Sequence, residues 1–179
     1  MNIYKLILKI CGWSVVGIKP EENKFVCIVA PHTSFWDFVW GWLSYRCIGI
    51  PSNFLIKKEF FTFPIKRLLL GLGGVPVNRQ QARNMVQYCV NLFNTKDRLA
   101  LTITPEGTRK YTTKWKKGFY HIARQANVPL YIGFIDYQKK QTGLLTKFEI
   151  TGDFDADFSH IQDLLRGYVA KYPKNYSLS

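Results

Sequence analysis

His32 and Asp37 are the pair in this chain whose types and spacing best suit the movement of a proton. They belong to Pro31-His32-Thr33-Ser34-Phe35-Trp36-Asp37, which follows an apolar run, Phe25–Ala30, that reads as a buried strand. An imidazole titrates near neutral pH, so its neutral form can take a proton from an alcohol. A carboxylate on the opposite ring nitrogen would fix the tautomer and stabilise the imidazolium. On a straight helix the two side chains would point to different faces, so they meet only where the chain turns, as a strand-to-helix loop does. The competing reading is a helix-capping Asp beside an unrelated His.

Two other loops also follow strands. Gly73-Gly74-Val75-Pro76-Val77-Asn78-Arg79 combines a tight turn with a short strand that delivers Arg79. A guanidinium there can grip a phosphate through two parallel hydrogen bonds. Thr104-Pro105-Glu106-Gly107-Thr108-Arg109 follows the strand Leu99–Thr104. Gly107 lets the backbone approach a ligand, Arg109 adds a second phosphate grip, and Glu106 can hold a hydroxyl or orient Arg109. Six cations fall within residues 109–124. Any one of them alone would be a solvated surface charge, but together, beside a glycine turn, they read as an anion-binding rim. Lys57, Lys58, Lys116 and Lys117 are its candidate members.

The elements that must position these loops alternate along the chain. Strands are expected at Phe25–Ala30, Asn53–Ile56, Val75–Val77, Leu99–Thr104 and Pro129–Tyr137. Helices are expected at Trp36–Arg46, at Phe60–Leu72 (helical at least from Pro64), at Gln81–Phe93 and at Gly118–Gln125. Lys139-Lys140-Gln141-Thr142-Gly143 reads as a hairpin turn into Leu144–Ile150, and Phe158–Tyr172 as a closing helix that Pro173 stops. This order predicts one α/β domain over residues 1–179, with a mostly parallel sheet flanked by helices and an antiparallel hairpin near the end. Ligands in such sheets sit beyond the carboxyl ends of the strands, where all three loops lie.

Composition narrows the partners. The 179 residues carry 25 Lys and Arg against 12 Asp and Glu, a formal net charge of +13. Residues 1–140 hold 21 basic and 7 acidic side chains, so the excess lies in the body of the chain. Such a field favours polyanions: nucleic acid, anionic lipid, phosphorylated small molecules or an acidic carrier protein. Cys11, Cys27, Cys47 and Cys89 form no CxxC pair and lie in apolar stretches, which reads as four buried free thiols on the cytosolic side, not as a metal site. No segment reaches the ~20 apolar residues of a spanning helix. Within residues 1–18, Ile3, Leu6, Ile7, Ile10 and Ser14 share one helical face and Lys5 and Lys9 another. That pattern suits either a helix lying in a lipid headgroup layer or one packed on the core.

Taken together, the loops resemble the glycerolipid acyltransferase family, whose best-known members acylate 1-acylglycerol 3-phosphate. Its His-x4-Asp block appears as His32 and Asp37, and its glycine-strand-arginine block is similar to Gly74 through Arg79. Its Pro-Glu-Gly-Thr-Arg block is intact at Pro105–Arg109, and Val128-Pro129-Leu130-Tyr131-Ile132 looks like its fourth. Order and spacing agree across about residues 25–135. Pro31, Thr104 and Lys110 depart from the family's common Asn, Phe and Ser.

The resemblance implies a glycerol-3-phosphate acyltransferase-like fold and direct transfer of an acyl group from acyl-CoA or acyl carrier protein to a lysophospholipid hydroxyl. His32 would be the base and Asp37 its support. Arg79, Glu106, Gly107, Thr108 and Arg109 would bind the acceptor phosphate. It implies no metal and no resident cofactor, no nucleic-acid partner, and a peripheral place on an anionic membrane surface, at its cytoplasmic face. Backbone amides at the helix start after His32 are the expected oxyanion donors. A nucleic-acid module would leave both motifs unexplained, and a hydrolase using Ser34 would lack the GxSxG elbow.

Overall fold

Lys24–Ala30 (β2) alternates its side chains between two cores. Val26, Ile28 and Ala30 face one layer of helices, while Phe25, Cys27 and Val29 face the other. A strand covered on both faces must be apolar along its whole length, as this one is. The computed structural model describes residues 2–78 and 84–178. Around β2 it forms a seven-stranded sheet in which β2 is flanked by Leu99–Ile103 (β5) and Leu130–Asp136 (β6), both parallel to it. Asn53–Lys57 (β3) and Gly74–Val77 (β4) extend one side. Gln141–Phe148 (β7) returns antiparallel on the other, and Ser14–Gly17 (β1) lies parallel to β7 at the edge. The mixed α/β architecture with a hairpin near the end agrees with expectation.

The helices divide by face. Ile3–Ile10 (α1) and Phe35–Ile48 (α2) cover one side through Leu8, Leu43 and Tyr45. Met85–Thr95 (α4), Gly118–Ala126 (α5) and Phe154–Leu164 (α6) cover the other. Cys89, Val90 and Phe93 of α4 are buried, as its periodicity predicts. Ile65–Gly71 (α3) is short and buries none of its residues. Its end is pinned to α2, where Trp42 Nε1 donates to the Leu72 carbonyl at 2.9 Å and Arg46 Nη2 to that of Gly71 at 3.0 Å. Gly73, at φ +99°, is obligatory in the turn that follows, because a Cβ there would lie 1.7 Å from the Ser52 carbonyl oxygen.

Four expectations are corrected. The N-terminal helix ends at Ile10 and Ser14 begins a strand, because Gly12 at φ +74° turns the chain. The hairpin turn comes earlier than residues 139–143: Asp136 Oδ1 accepts the N–H groups of Gln138 and Lys139, so β7 already starts at Gln141. The closing helix starts at Phe154, capped by the Asp153 carboxylate, and ends near Leu164, since Gly167 takes φ +94° inside the span expected to be helical. Cys11 is exposed and Cys47 half-buried, and only Cys27 and Cys89 are buried. Among the described residues no helix is long and apolar enough to cross a membrane.

Candidate active site

β2 ends at Ala30, and the next residues turn sharply into α2. Ser34 is the N-cap of α2 and Asp37 completes a capping box with it, so the loop is closed by the helix's own start. Asp37 is buried, and three donors converge on its carboxylate. Oδ2 accepts the N–H groups of Thr33 and Ser34, each at 2.7 Å, and Oδ1 accepts the Tyr137 hydroxyl at 2.6 Å. His32 Nδ1 stands 3.4 Å from the same Oδ2, with the Asp37 side chain 2% and the His32 side chain 20% exposed. Asp37 therefore caps the helix and faces the imidazole at once. With Nδ1 turned to Asp37, Nε2 is the nitrogen left for a substrate.

Tyr137 was not singled out in the sequence, since it closes a strand 100 residues away from Asp37. Burial and then its bond to Asp37 raise the phenol's pKa far above its ordinary value, so it stays a donor. The only sequence signal would have been a Tyr at the carboxyl end of a strand that neighbours β2. Ser34 Oγ accepts the Trp36 N–H at 3.2 Å and so caps the helix. Of the amides expected as oxyanion donors, those of Thr33 and Ser34 are engaged by Asp37 and that of Trp36 by Ser34 Oγ.

The third loop meets the first through Glu106. Its Oε1 accepts the His32 main-chain N–H at 2.9 Å, so this carboxyl holds the backbone of the candidate base, while Oε2 is buried without a hydrogen-bond partner. Gly107 sits at φ +64°, and a Cβ there would press to 3.1 Å on the Lys116 stem. Thr108 Oγ1 accepts the Lys110 N–H at 3.2 Å, and Arg109 is exposed just beyond. Lys57 and Lys58 are exposed at the end of β3. Lys117 instead leans on α6, 4.2 Å over the Phe154 ring and 4.0 Å from Asp155. Arg79 lies outside the described residues. Among these no group of three or more metal-ligating side chains assembles.

Burial is the largest influence on Glu106 and, with a smaller push from Asp37, raises its pKa from 4.5 to about 7 against the pull of backbone N–H groups. Between those values the folded chain keeps a proton that the unfolded chain has lost, so stability falls as pH rises through that window and levels off above it. Glu106→Gln is expected to flatten this decline, worth on the order of 3 kcal/mol. Thermal melts from pH 5 to pH 8 test it, and an unchanged slope would refute the assignment.

This is an α/β domain whose polar loops gather at the carboxyl ends of its parallel strands, with a His–Asp pair under the end of β2. The acyltransferase family model matches residues 15–132, well over half of the chain, and the chain belongs to that family. It is 29% identical over 111 residues to a 1-acyl-sn-glycerol-3-phosphate acyltransferase of Streptococcus pneumoniae, covering 61% of this chain and 40% of that one. It is 28% identical over 143 residues to the human 1-acyl-sn-glycerol-3-phosphate acyltransferase beta, covering 73% and 50%. The chain thus spans half or less of the length of these two curated relatives. The crystal structure of the 1-acyl-sn-glycerophosphate (LPA) acyltransferase PlsC from Thermotoga maritima shares the fold, with TM-score 0.62 and 17% identity over 91% of this chain and 73% of that one.

Proposed function

We propose that this chain transfers a fatty acyl group from a thioester, acyl-CoA or acyl carrier protein, to the hydroxyl of a lysophospholipid such as 1-acylglycerol 3-phosphate, as a step of phospholipid biosynthesis. The observation that carries the reading is the junction of the two loops: Glu106 bonds the His32 main chain while Asp37 faces the His32 ring.

In this reading His32 Nε2 takes the acceptor hydroxyl's proton as the oxygen attacks the thioester carbonyl. The tetrahedral intermediate collapses, the C–S bond breaks, and the leaving sulfur recovers the proton from the imidazolium. The chemistry needs neither metal nor resident cofactor. Asp37 holds the ring and stabilises its charged form. Arg109 grips the acceptor phosphate beside the Gly107-Thr108 turn, with Glu106 ordering that pocket, and Arg79 is assigned the second grip by the family resemblance alone. Lys57, Lys58 and Lys116 form the anion-binding rim, and the protein works as a peripheral enzyme on an anionic membrane surface, at its cytoplasmic face.

The test is a panel of lyso-lipid acceptors offered with acyl-CoA and with acyl carrier protein. Acyl transfer to a phosphate-bearing acceptor supports the reading, and no transfer to any acceptor refutes it. Arg109→Ala is expected to raise the acceptor's apparent KM by about tenfold or more, the scale of a lost charge-assisted contact, with a smaller effect on kcat. An unchanged KM would remove Arg109 from the phosphate site.

A further inference from the structure

The segment from the end of β3 through α3 spends apolar side chains on solvent. Phe63 is 93% exposed, Phe60 and Leu68 are each 61%, and Ile65 and Leu70 are about half exposed. A seven-residue helix with no fully buried residue and only Leu69 half-buried gains little stability from packing, and helices this short are not stable by propensity alone. Its missing apolar contact must come from outside the domain.

The charges around it define the partner. Lys57, Lys58, Lys66 and Arg67 are interleaved with these side chains and all four are exposed, against one acidic neighbour, Glu59. An apolar surface with cations at its edge matches a phospholipid layer, apolar below and anionic at the headgroups. Position agrees with chemistry. Lys57 ends β3, which runs parallel to β5, so this surface opens at the end of the sheet that holds His32 and Glu106. Exposed Phe35, Trp36 and Tyr172 stand at the same end, and Trp and Tyr are the side chains that favour a membrane interface. The bonds from Trp42 and Arg46 to the end of α3 fix this surface relative to α2 and hence to the loop of His32.

We infer that residues 57–70 are the membrane-docking element, with Phe60, Phe63, Ile65, Leu68 and Leu70 entering the outer acyl layer of an anionic bilayer and the flanking cations meeting its phosphates. This deepens the membrane-surface reading above and rests on it. An acceptor lying in that layer would meet His32 without leaving the lipid.

The test is co-sedimentation of the full chain with vesicles of phosphatidylcholine mixed with phosphatidylglycerol, and with phosphatidylcholine alone. Wild type is expected to bind the anionic vesicles more tightly, and Phe63→Asp to weaken binding by at least about tenfold, the scale of one buried aromatic side chain. Phe63 touches almost nothing in the fold, so a thermal melt of the variant should match wild type. Ile10→Asp, on the exposed face of α1, is the comparison. If Ile10→Asp loses binding and Phe63→Asp keeps it, α1 is the docking element and the inference is wrong. If Phe63→Asp instead abolishes self-association and leaves vesicle binding intact, the surface belongs to a second copy of the chain and the inference is again overturned. Failure of wild type to bind either vesicle would overturn the membrane reading itself.

Discussion

His32→Ala is expected to abolish acyl transfer, by roughly a thousandfold or more, while the fold survives. General-base catalysis by one positioned side chain contributes about 10²–10⁴. Asp37 is held by three donors, and Glu106 is buried with one oxygen on the His32 main chain. Stability should change little, because the bond to Glu106 uses the backbone N–H, which alanine keeps. Single-turnover transfer from a radiolabelled thioester, paired with a thermal melt, measures both quantities. Retained turnover in a folded variant would remove the imidazole from the scheme.

Asp37→Ala is expected to cost both activity and stability. The substitution strands the buried Thr33 and Ser34 amides and the half-buried Tyr137 hydroxyl, and each unpaired buried donor costs about 1–3 kcal/mol. Partial relaxation should leave a loss of about 3 kcal/mol or more, with kcat down roughly a thousandfold as the ring loses its support. Tyr137→Phe removes one of the three donors and should show a graded version, about 1–2 kcal/mol, with a smaller loss of kcat. Denaturant melts and kcat on the two variants separate the contributions. If Asp37→Ala were as stable as wild type, the capping box would not hold the loop.

The residues that could be read from the chain are those whose partners lie close in sequence. His32 and Asp37 share one turn, and that turn is fixed by a local capping pattern that any reader can see in Ser34 and Asp37. The Pro-Glu-Gly-Thr-Arg turn is also local, and its place at a strand end follows from the apolar run before it. Tyr137 and the Glu106–His32 bond were hidden because sheet neighbours are set by strand order, with β6 and β5 on either side of β2. No periodicity reveals that order. β1 escaped for another reason: four residues at a sheet edge, mostly exposed, have no burial pattern to display. α3 was legible as a helix after Pro64 but not as an unburied one, since an apolar sequence looks the same whether it faces a core or a lipid.

The coil after α6 carries one more implication. Val169 accepts the Tyr137 main-chain N–H, and the Tyr172 amide donates to Thr33 Oγ1 across 139 residues of chain. Contacts of such long range demand that the intervening polypeptide first be arranged, at an entropic cost that rises with the length of the enclosed loop. The loop of His32 therefore closes only with its contact to this coil, as the sheet closes only with its own distant pairs, β1 with β7 and β2 with β6.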